Sequence, residues 1–434
     1  MRMTLSDFSD FIGGRFFGYD QPGSASCSQI SIEPSMVCEG SVAFILTHNE
    51  AMAWRQIILA RKSGAAAVVS KVPPYFKNIS CILVEDVFDA LCRAGNYFRR
   101  RLNAKVIAVT GTVGKTTTKD LLAAMLAKKY KTACSPGNMN TTSGLVYSMS
   151  LTEGDEEMAV VELGAGKGTD MGIFSRIANP DIVIITNIGE AHLDKFGNKE
   201  NVFAEKMRIF DSAKEGFAAF LNGDDPLLGT VTDIRGVKPL FFRSSDYPHP
   251  LPFAGEHFRT DVAAAAAVAR YLGVTDEQIR AAVADFLPMM GRCSPLCVGN
   301  IKVIFDCYNA NPLSMKAALD LLSECEGRKV AVLGDMLELG ATAPELHDEI
   351  GGYAASRPVD EIVCIGELAE NICHSATDCG FPKECCTWYP NMEKFLNAMD
   401  KHIHKSDRVL LKASNAMHFE KILYQINSAQ ENKV

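Results

Sequence analysis

Short apolar runs, most closed by a turn residue or a charge, recur along the chain and alternate with longer stretches of mixed polarity. Runs without internal polar alternation predict strands buried on both faces. The stretches between them predict the covering helices. The first series holds SVAFIL (41–46), AAVVS (66–70) and CILVED (81–86), with a helical stretch near 51–64. The second holds VIAVT (106–110), MAVVEL (158–163), DIVIIT (181–186) and FAAFLN (217–222). Helices at 116–129 and 199–213 separate its strands, and helices at 261–272 and 275–286 follow it. The third holds KVIFD (302–306), KVAVLG (329–334), EIVCIG (361–366) and RVLLKA (408–413), with no GxGxxG after its first strand. Between the second and third series, FLPMMGRCSPLCVGN (286–300) reads as a hinge.

Strands alternating with helices predict α/β units with mostly parallel sheets. Three domains are expected. Residues 1–104 form a small α/β N-terminal domain, 105–292 a central mononucleotide-binding sheet, and 293–434 a C-terminal dinucleotide-type α/β domain. A length of 434 residues agrees, being more than one core usually supports.

Composition narrows the function. The net charge of −8 and the lack of a long basic run argue against a nucleic-acid binder. Arg99, Arg100 and Arg101 read as a solvated helix end. No apolar stretch is long enough to span a membrane, and MRMTLSDFSDF lacks a signal-peptide core, so a cytoplasmic location is expected. The fourteen cysteines include no CxxC pair. Those inside apolar runs, such as Cys81 and Cys364, read as reduced core thiols. Cys293 and Cys297, and the doublet Cys385–Cys386, lack partners at zinc-site spacing.

Candidate chemistry centres on KVIAVTGTVGKTTTK (105–119), a strand entering a glycine turn and then a helix. Gly111 and Gly114 allow a tight turn whose N–H groups, with those opening the helix, face a polyanion. Lys115 supplies a charge for β- and γ-phosphates, and Thr116 a hydroxyl for Mg²⁺. The loop is compact: Val109 stands where the usual phosphate-loop pattern has its first glycine. Glu162, in VVELGAGKGTD (160–170), closes a strand at the same sheet edge, where a carboxylate can hold Mg²⁺. His192 follows the next strand, and Lys206 lies in the helical context NVFAEKMRIF.

Taken in order, TGTVGKTTTK, SPGNMN, VVELGAG, TNIGEAHLDKFG, DCYNANPLSM, VLGDMLELG and LLKASNAM resemble the Mur ligase superfamily over 105 to about 425. Within it, DCYNANPLSM with VLGDMLELG is most similar to the branch that adds D-alanyl-D-alanine to a UDP-linked tripeptide. The resemblance implies an ATP-dependent acid–amine ligase of cell-wall precursor synthesis. The γ-phosphate would pass to a carboxylate, and an amine would attack the acyl phosphate. It implies ATP contacts from Gly111, Thr112, Gly114, Lys115, Thr116 and Thr117, and from Arg292, Asp306, Tyr308, Asn309 and Asn311. It implies Mg²⁺ ligands at Thr116, Glu162, His192 and a carbamylated Lys206, and an active-site loop through Asn138. Asp335 and Glu338 would lie near the amine, and His347 matches a family histidine. The substrates are a carboxylate and an amine, with no nucleic acid and no membrane span, and a monomer is expected. ATP contacts split between two units imply domain closure, and an open arrangement without ligand is expected.

Several positions depart from the family pattern. SIEPSMVCEG offers Pro34 and Ser35 with no arginine where a Ser-Arg pair usually stands, and THNEAMAWRQII replaces a glycine-histidine segment. Phe258 occupies the place of an asparagine that meets adenine. Arg208 replaces an acidic residue, and Asp170 fills a nearby acidic place. These departures leave a second reading: the same chemistry on a carboxylate without a UDP sugar, as in the methanogen synthetase of a nickel-tetrapyrrole coenzyme. A third is a non-catalytic nucleotide-binding scaffold, against which the full set of phosphate and metal groups argues.

Overall fold

The computed structural model describes residues 3–27, 29–73, 79–166, 170–253, 255 and 257–431. Its three main sheets follow the three series of apolar runs, and the fold is mixed α/β with mostly parallel pairing. The first sheet runs Arg15–Phe17, Cys81–Leu83, Ala67–Ser70, Val42–Phe44, Ile30–Ser31, with only its first pair antiparallel. The second runs Leu240–Phe242, Ala218–Asn222, Ile182–Ile185, Lys105–Thr110, Met158–Glu162, Thr132–Cys134, and every pair in it is parallel. The third runs Ser294–Val298, Ile301–Asp306, Arg408–Lys412, Lys329–Gly334, Glu361–Ile365, Cys386–Tyr389, with only its first pair antiparallel.

The central strand Lys105–Thr110 explains why an unbroken apolar run was needed. Val106 and Ala108 face the core beneath the helix Val87–Arg101, while Ile107 and Val109 face the core beneath Lys115–Leu126. Period-two alternation therefore buries side chains on both faces. From this strand the chain passes to the edge strand Thr132–Cys134, returns through Met158–Glu162 on the same side, and then crosses to Ile182–Ile185 on the other. The resulting crevice opens at the carboxyl ends of these strands, beside Thr110.

Three features differ from the sequence expectation. Thr132–Cys134, Leu240–Phe242 and Cys386–Tyr389 are short, partly exposed strands without a full apolar run. A third of the expected hinge is the strand Ser294–Val298, an antiparallel edge where Pro295 is tolerated. Arg99 is not solvated: its Nε donates to Ala178 O at 2.7 Å and its Nη2 to Asp181 Oδ2 at 3.2 Å. Asp181 also accepts from Val106 N at 2.8 Å, so this buried arginine fastens the N-terminal helix to the central sheet. No helix among the described residues is long and apolar enough to cross a membrane.

Candidate active site

The strand Lys105–Thr110 delivers the chain to Gly111 (φ 151°) and Gly114 (φ 80°). A Cβ on Gly111 would stand 1.9 Å from Thr186 Oγ1, and one on Gly114 2.0 Å from Asp261 Oδ1. Both positions thus require glycine for space as well as backbone angle. The helix Lys115–Leu126 starts at once with no side-chain cap, so its first N–H groups are left for a ligand. Lys115 Nζ folds back onto Gly111 O (3.0 Å) and Thr112 O (2.9 Å). Burial lowers its pKa to about 8, opposed by the Glu162 carboxylate. Asn187 braces the turn, taking Thr112 N on its backbone oxygen at 3.0 Å and Val113 N on Oδ1 at 2.9 Å.

Glu162 is fully buried at its strand end. Its Oε2 accepts from Thr116 Oγ1 at 2.6 Å and its Oε1 from Asn140 Nδ2 at 2.7 Å. Arg292 Nη2 donates to Thr116 Oγ1 at 2.7 Å, completing a chain from guanidinium to hydroxyl to carboxylate. Lys206, also buried, donates from Nζ to Gly111 O at 2.9 Å. Burial, then the nearby Lys115 cation, hold its ammonium far below the usual lysine range. His192 adopts a left-handed backbone (φ 56°) and brings Nδ1 to 2.5 Å from Glu338 Oε2. Its burial lowers the imidazole pKa against the pull of that carboxylate.

The third unit meets this edge directly, in place of the open arrangement expected. Asn138 Nδ2 donates to Tyr308 OH at 2.6 Å, and the Arg292 guanidinium lies 4.0 Å from the Tyr308 ring centroid. Asp194 N donates to Glu338 O at 3.2 Å, a further bond across the seam. Asp306 Oδ2 pairs with Lys412 Nζ at 2.9 Å, and Lys412 also donates to Asn309 O at 2.5 Å. Asn311 caps the helix Pro312–Ser323, accepting from Ser314 N at 2.9 Å. Asp335 turns into the third unit and accepts from Ala369 N at 2.7 Å. His347 is fully buried, with Nε2 accepting from Met336 N at 2.9 Å and Nδ1 against Ala343 O at 2.6 Å. That arrangement requires the neutral ring with its proton on Nδ1, so His347 shapes the loop that carries Glu338.

A cleft of about 380 Å³ joins the two units. Thr112, Gly114, Lys115, Thr117, Glu162, Arg292, Asp306, Tyr308, Asn309 and Asn311 all reach it, whereas His192 and Lys206 stand outside its lining. Three residues escaped the sequence reading. Asn140, two places beyond Asn138, is the amide on Glu162. Asp261, buried against Gly114, has its carboxyl pushed up by burial to about 8. Lys119 is fully buried and donates to Ser135 O (2.7 Å) and Gly137 O (2.8 Å), pinning the SPGNMN loop to the phosphate-loop helix.

The departures have local partners. Phe258 lines the cleft and packs edge-on against Phe253, with centroids 5.2 Å apart. Arg208 pairs with Asp170 and Glu205, each at 3.1 Å, and Asp170 caps the helix Met171–Ala178. Pro34 and Ser35 lie in the short 3₁₀ turn Pro34–Met36. Lys167, Gly168 and Thr169 of the GKGTD segment, and Glu256 of AGEHFRT, lie outside the described residues.

Residues 109–242 match the Mur ligase middle domain, and residues 291–415 match the Mur ligase glutamate ligase domain. A curated relative from Bacillus subtilis (strain 168), UDP-N-acetylmuramoyl-tripeptide--D-alanyl-D-alanine ligase, is 32% identical over 84% of this chain and 85% of its own. A crystal structure of MurF from Acinetobacter baumannii is 26% identical and superposes with a TM-score of 0.87, covering 99% of both chains. The MurF ligase of Thermotoga maritima in complex with ADP is 27% identical, with a TM-score of 0.79, covering 94% of this chain and 98% of its own.

Proposed function

The chain belongs to the Mur ligase family and is an ATP-dependent acid–amine ligase, and on that premise we propose that it joins UDP-N-acetylmuramoyl-tripeptide to D-alanyl-D-alanine in cell-wall precursor synthesis. The supporting observation is the carboxyl edge itself: Thr116 Oγ1 lies 2.6 Å from Glu162 Oε2, beside the half-buried Lys115 and the buried Lys206, both aimed at one loop carbonyl. Because similarity to the A. baumannii structure spans 99% of the chain, it includes the N-terminal unit. That favours a UDP-linked acid over a carboxylate without one.

A carboxylate oxygen of the acid would attack the γ-phosphorus as the bond to the β-phosphate oxygen breaks, releasing ADP. The amine would then attack the acyl phosphate carbon, and inorganic phosphate would leave as the amide forms. Both partners of the first step are anionic, so the site must neutralise charge and fix alignment. In this reading Lys115, the loop N–H groups of Gly111–Thr117 and Arg292 contact the phosphates. Asp306, Tyr308, Asn309 and Asn311 close over the nucleotide from the third unit. Thr116 and Glu162 offer hard oxygen donors that suit Mg²⁺, with His192 and Lys206 as further ligands. When bound, the ion neutralises phosphate charge. A Lys206 amine that has lost its proton is the form that carbon dioxide carbamylates. Asn138 and Asn140 position the loop beside the reacting groups.

Residues 1–104 would hold the acid, 105–292 the nucleotide and 293–434 the amine, in a cytoplasmic monomer. Phosphate release with ATP and Mg²⁺ tests the assignment. Release should require both the UDP-linked tripeptide and D-alanyl-D-alanine, with the amide product seen by mass spectrometry. Protein that binds ATP but releases no phosphate with this pair would overturn the assignment of the acid.

A further inference from the structure

Three cysteines that the active site does not use converge in the third unit. Cys364 lies in the strand Glu361–Ile365, Cys373 on the helix Ala369–Asp378, and Cys386 opens the strand Cys386–Tyr389. All three are buried. The Cys386 thiol donates to Cys373 Sγ at 3.0 Å and also lies 3.6 Å from Cys373 O. Cys386 belongs to the doublet that the sequence left without a partner. The fold supplies that partner from the preceding helix.

We propose that Cys373 and Cys386 form a reversible thiol–disulfide pair, oxidised by a peroxide. Their sulfurs already lie closer than non-bonded sulfurs usually pack, with the helix and strand holding them side by side. Hydrogen bonds from the Cys364 and Cys386 thiols favour the thiolate at Cys373, so it is the attacking sulfur. The Cys373 thiolate attacks one peroxide oxygen, the O–O bond breaks, and water leaves once the departing oxygen is protonated. The Cys373 sulfenic acid formed is then attacked by the Cys386 sulfur. The S–S bond forms, the S–O bond breaks, and a second water leaves. Two thiols and one hydrogen peroxide thus give one disulfide and two waters. Burial limits the reaction to an oxidant of about the size of water, which is why peroxide is favoured over a bulky disulfide.

The protein itself supplies the controls, because Cys379 and Cys385 are more exposed thiols on the same segment. Purified protein would be treated with hydrogen peroxide, alkylated, and digested without reduction for fragmentation mass spectrometry. The expected product is a Cys373–Cys386 cross-link that a dithiol reverses and that is absent from both Cys373→Ser and Cys386→Ser. A link through Cys379 or Cys385 would overturn the proposal. So would Cys373 and Cys386 staying alkylatable on denaturation at a dose that oxidises Cys379. The mapping is made on the unsubstituted chain, so it stands even if a serine variant fails to fold.

Discussion

The ammonium groups of Lys115 and Lys206 converge on one acceptor, the carbonyl oxygen of Gly111, at 3.0 and 2.9 Å. One residue opens the phosphate-loop helix and the other lies in the last turn of the helix Lys199–Met207, beyond the strand Ile182–Ile185. Burial lowers the pKa of both, and the Lys115 cation lowers that of Lys206 further. A polyphosphate held in the loop would favour the charged form of each lysine, because it places negative charge beside both.

Nucleotide affinity should therefore fall as pH rises through 8. Lys115 loses its proton near pH 8, and Asp261 loses its own near the same value. Each loss removes positive charge or adds negative charge beside the loop, and the bound phosphates favour both protonated forms. Calorimetric titration with ATP should show Kd rising about tenfold or more between pH 7 and pH 9. Asp261→Asn should keep the rise but make it shallower. A flat profile in both proteins would contradict the charge assignment.

Glu162→Gln keeps the size and can still accept from Asn140, but it removes the charge and sets an N–H donor against Thr116 in place of an acceptor. Activity should drop about 10²–10³-fold, with a raised Mg²⁺ requirement. The unfolding midpoint should stay close to that of the unsubstituted protein. A variant that lost activity only by unfolding would reduce Glu162 to a packing role.

Lys119→Met should cost about 1–3 kcal/mol in urea unfolding, since it strands the buried carbonyl oxygen of Ser135 and leaves Gly137 O and the Asp120 carboxylate without their lysine. Turnover should fall further than stability alone explains. The loop it pins also carries Asn138 and Asn140, which reach Tyr308 and Glu162. Unchanged turnover in the folded variant would show that the loop holds its place without the lysine.

Those two asparagines show how far the sequence could be read. GTVGKTTTK between a strand and a helix announces its own chemistry, because glycine, lysine and threonine at those offsets serve a phosphate whatever surrounds them. Asn140 and Lys119 carry no such signature. Their partners are a carboxylate on another strand and carbonyls of a loop, so only the folded chain reveals them. The long strands were legible because burial on both faces demands unbroken apolar runs. Thr132–Cys134 and Leu240–Phe242 were not, since three residues at a sheet edge can be partly polar. Arg99 misled for the opposite reason: a charge at a helix end reads as solvated, yet buried backbone oxygens can hold it.

His347 should make the protein acid-sensitive. Its burial holds the ring neutral below the pH at which an unfolded histidine takes up a proton. Between that lowered value and about 6.5 the unfolded chain binds the extra proton, so stability should fall as pH drops from 7 toward 5. His347→Gln should lose stability at pH 7 but show a flatter acid limb in urea melts at pH 5, 6 and 7. An acid limb of unchanged slope would place the sensitivity elsewhere.

The two six-stranded sheets present their carboxyl edges to one cleft, the central sheet through Glu162 and the third through Asp306 and Lys412. Each edge carries its own set of loops, rooted in its own core. The cleft is thereby shared between parts rooted in different cores, Lys115 and Glu162 in one and Asp306, Tyr308 and Lys412 in the other. The segment after Gly334 reaches the central unit as well, where Glu338 meets His192 and Asp194. Neither sheet completes the cleft alone, so a change in their relative placement would dismantle the site while leaving each core intact.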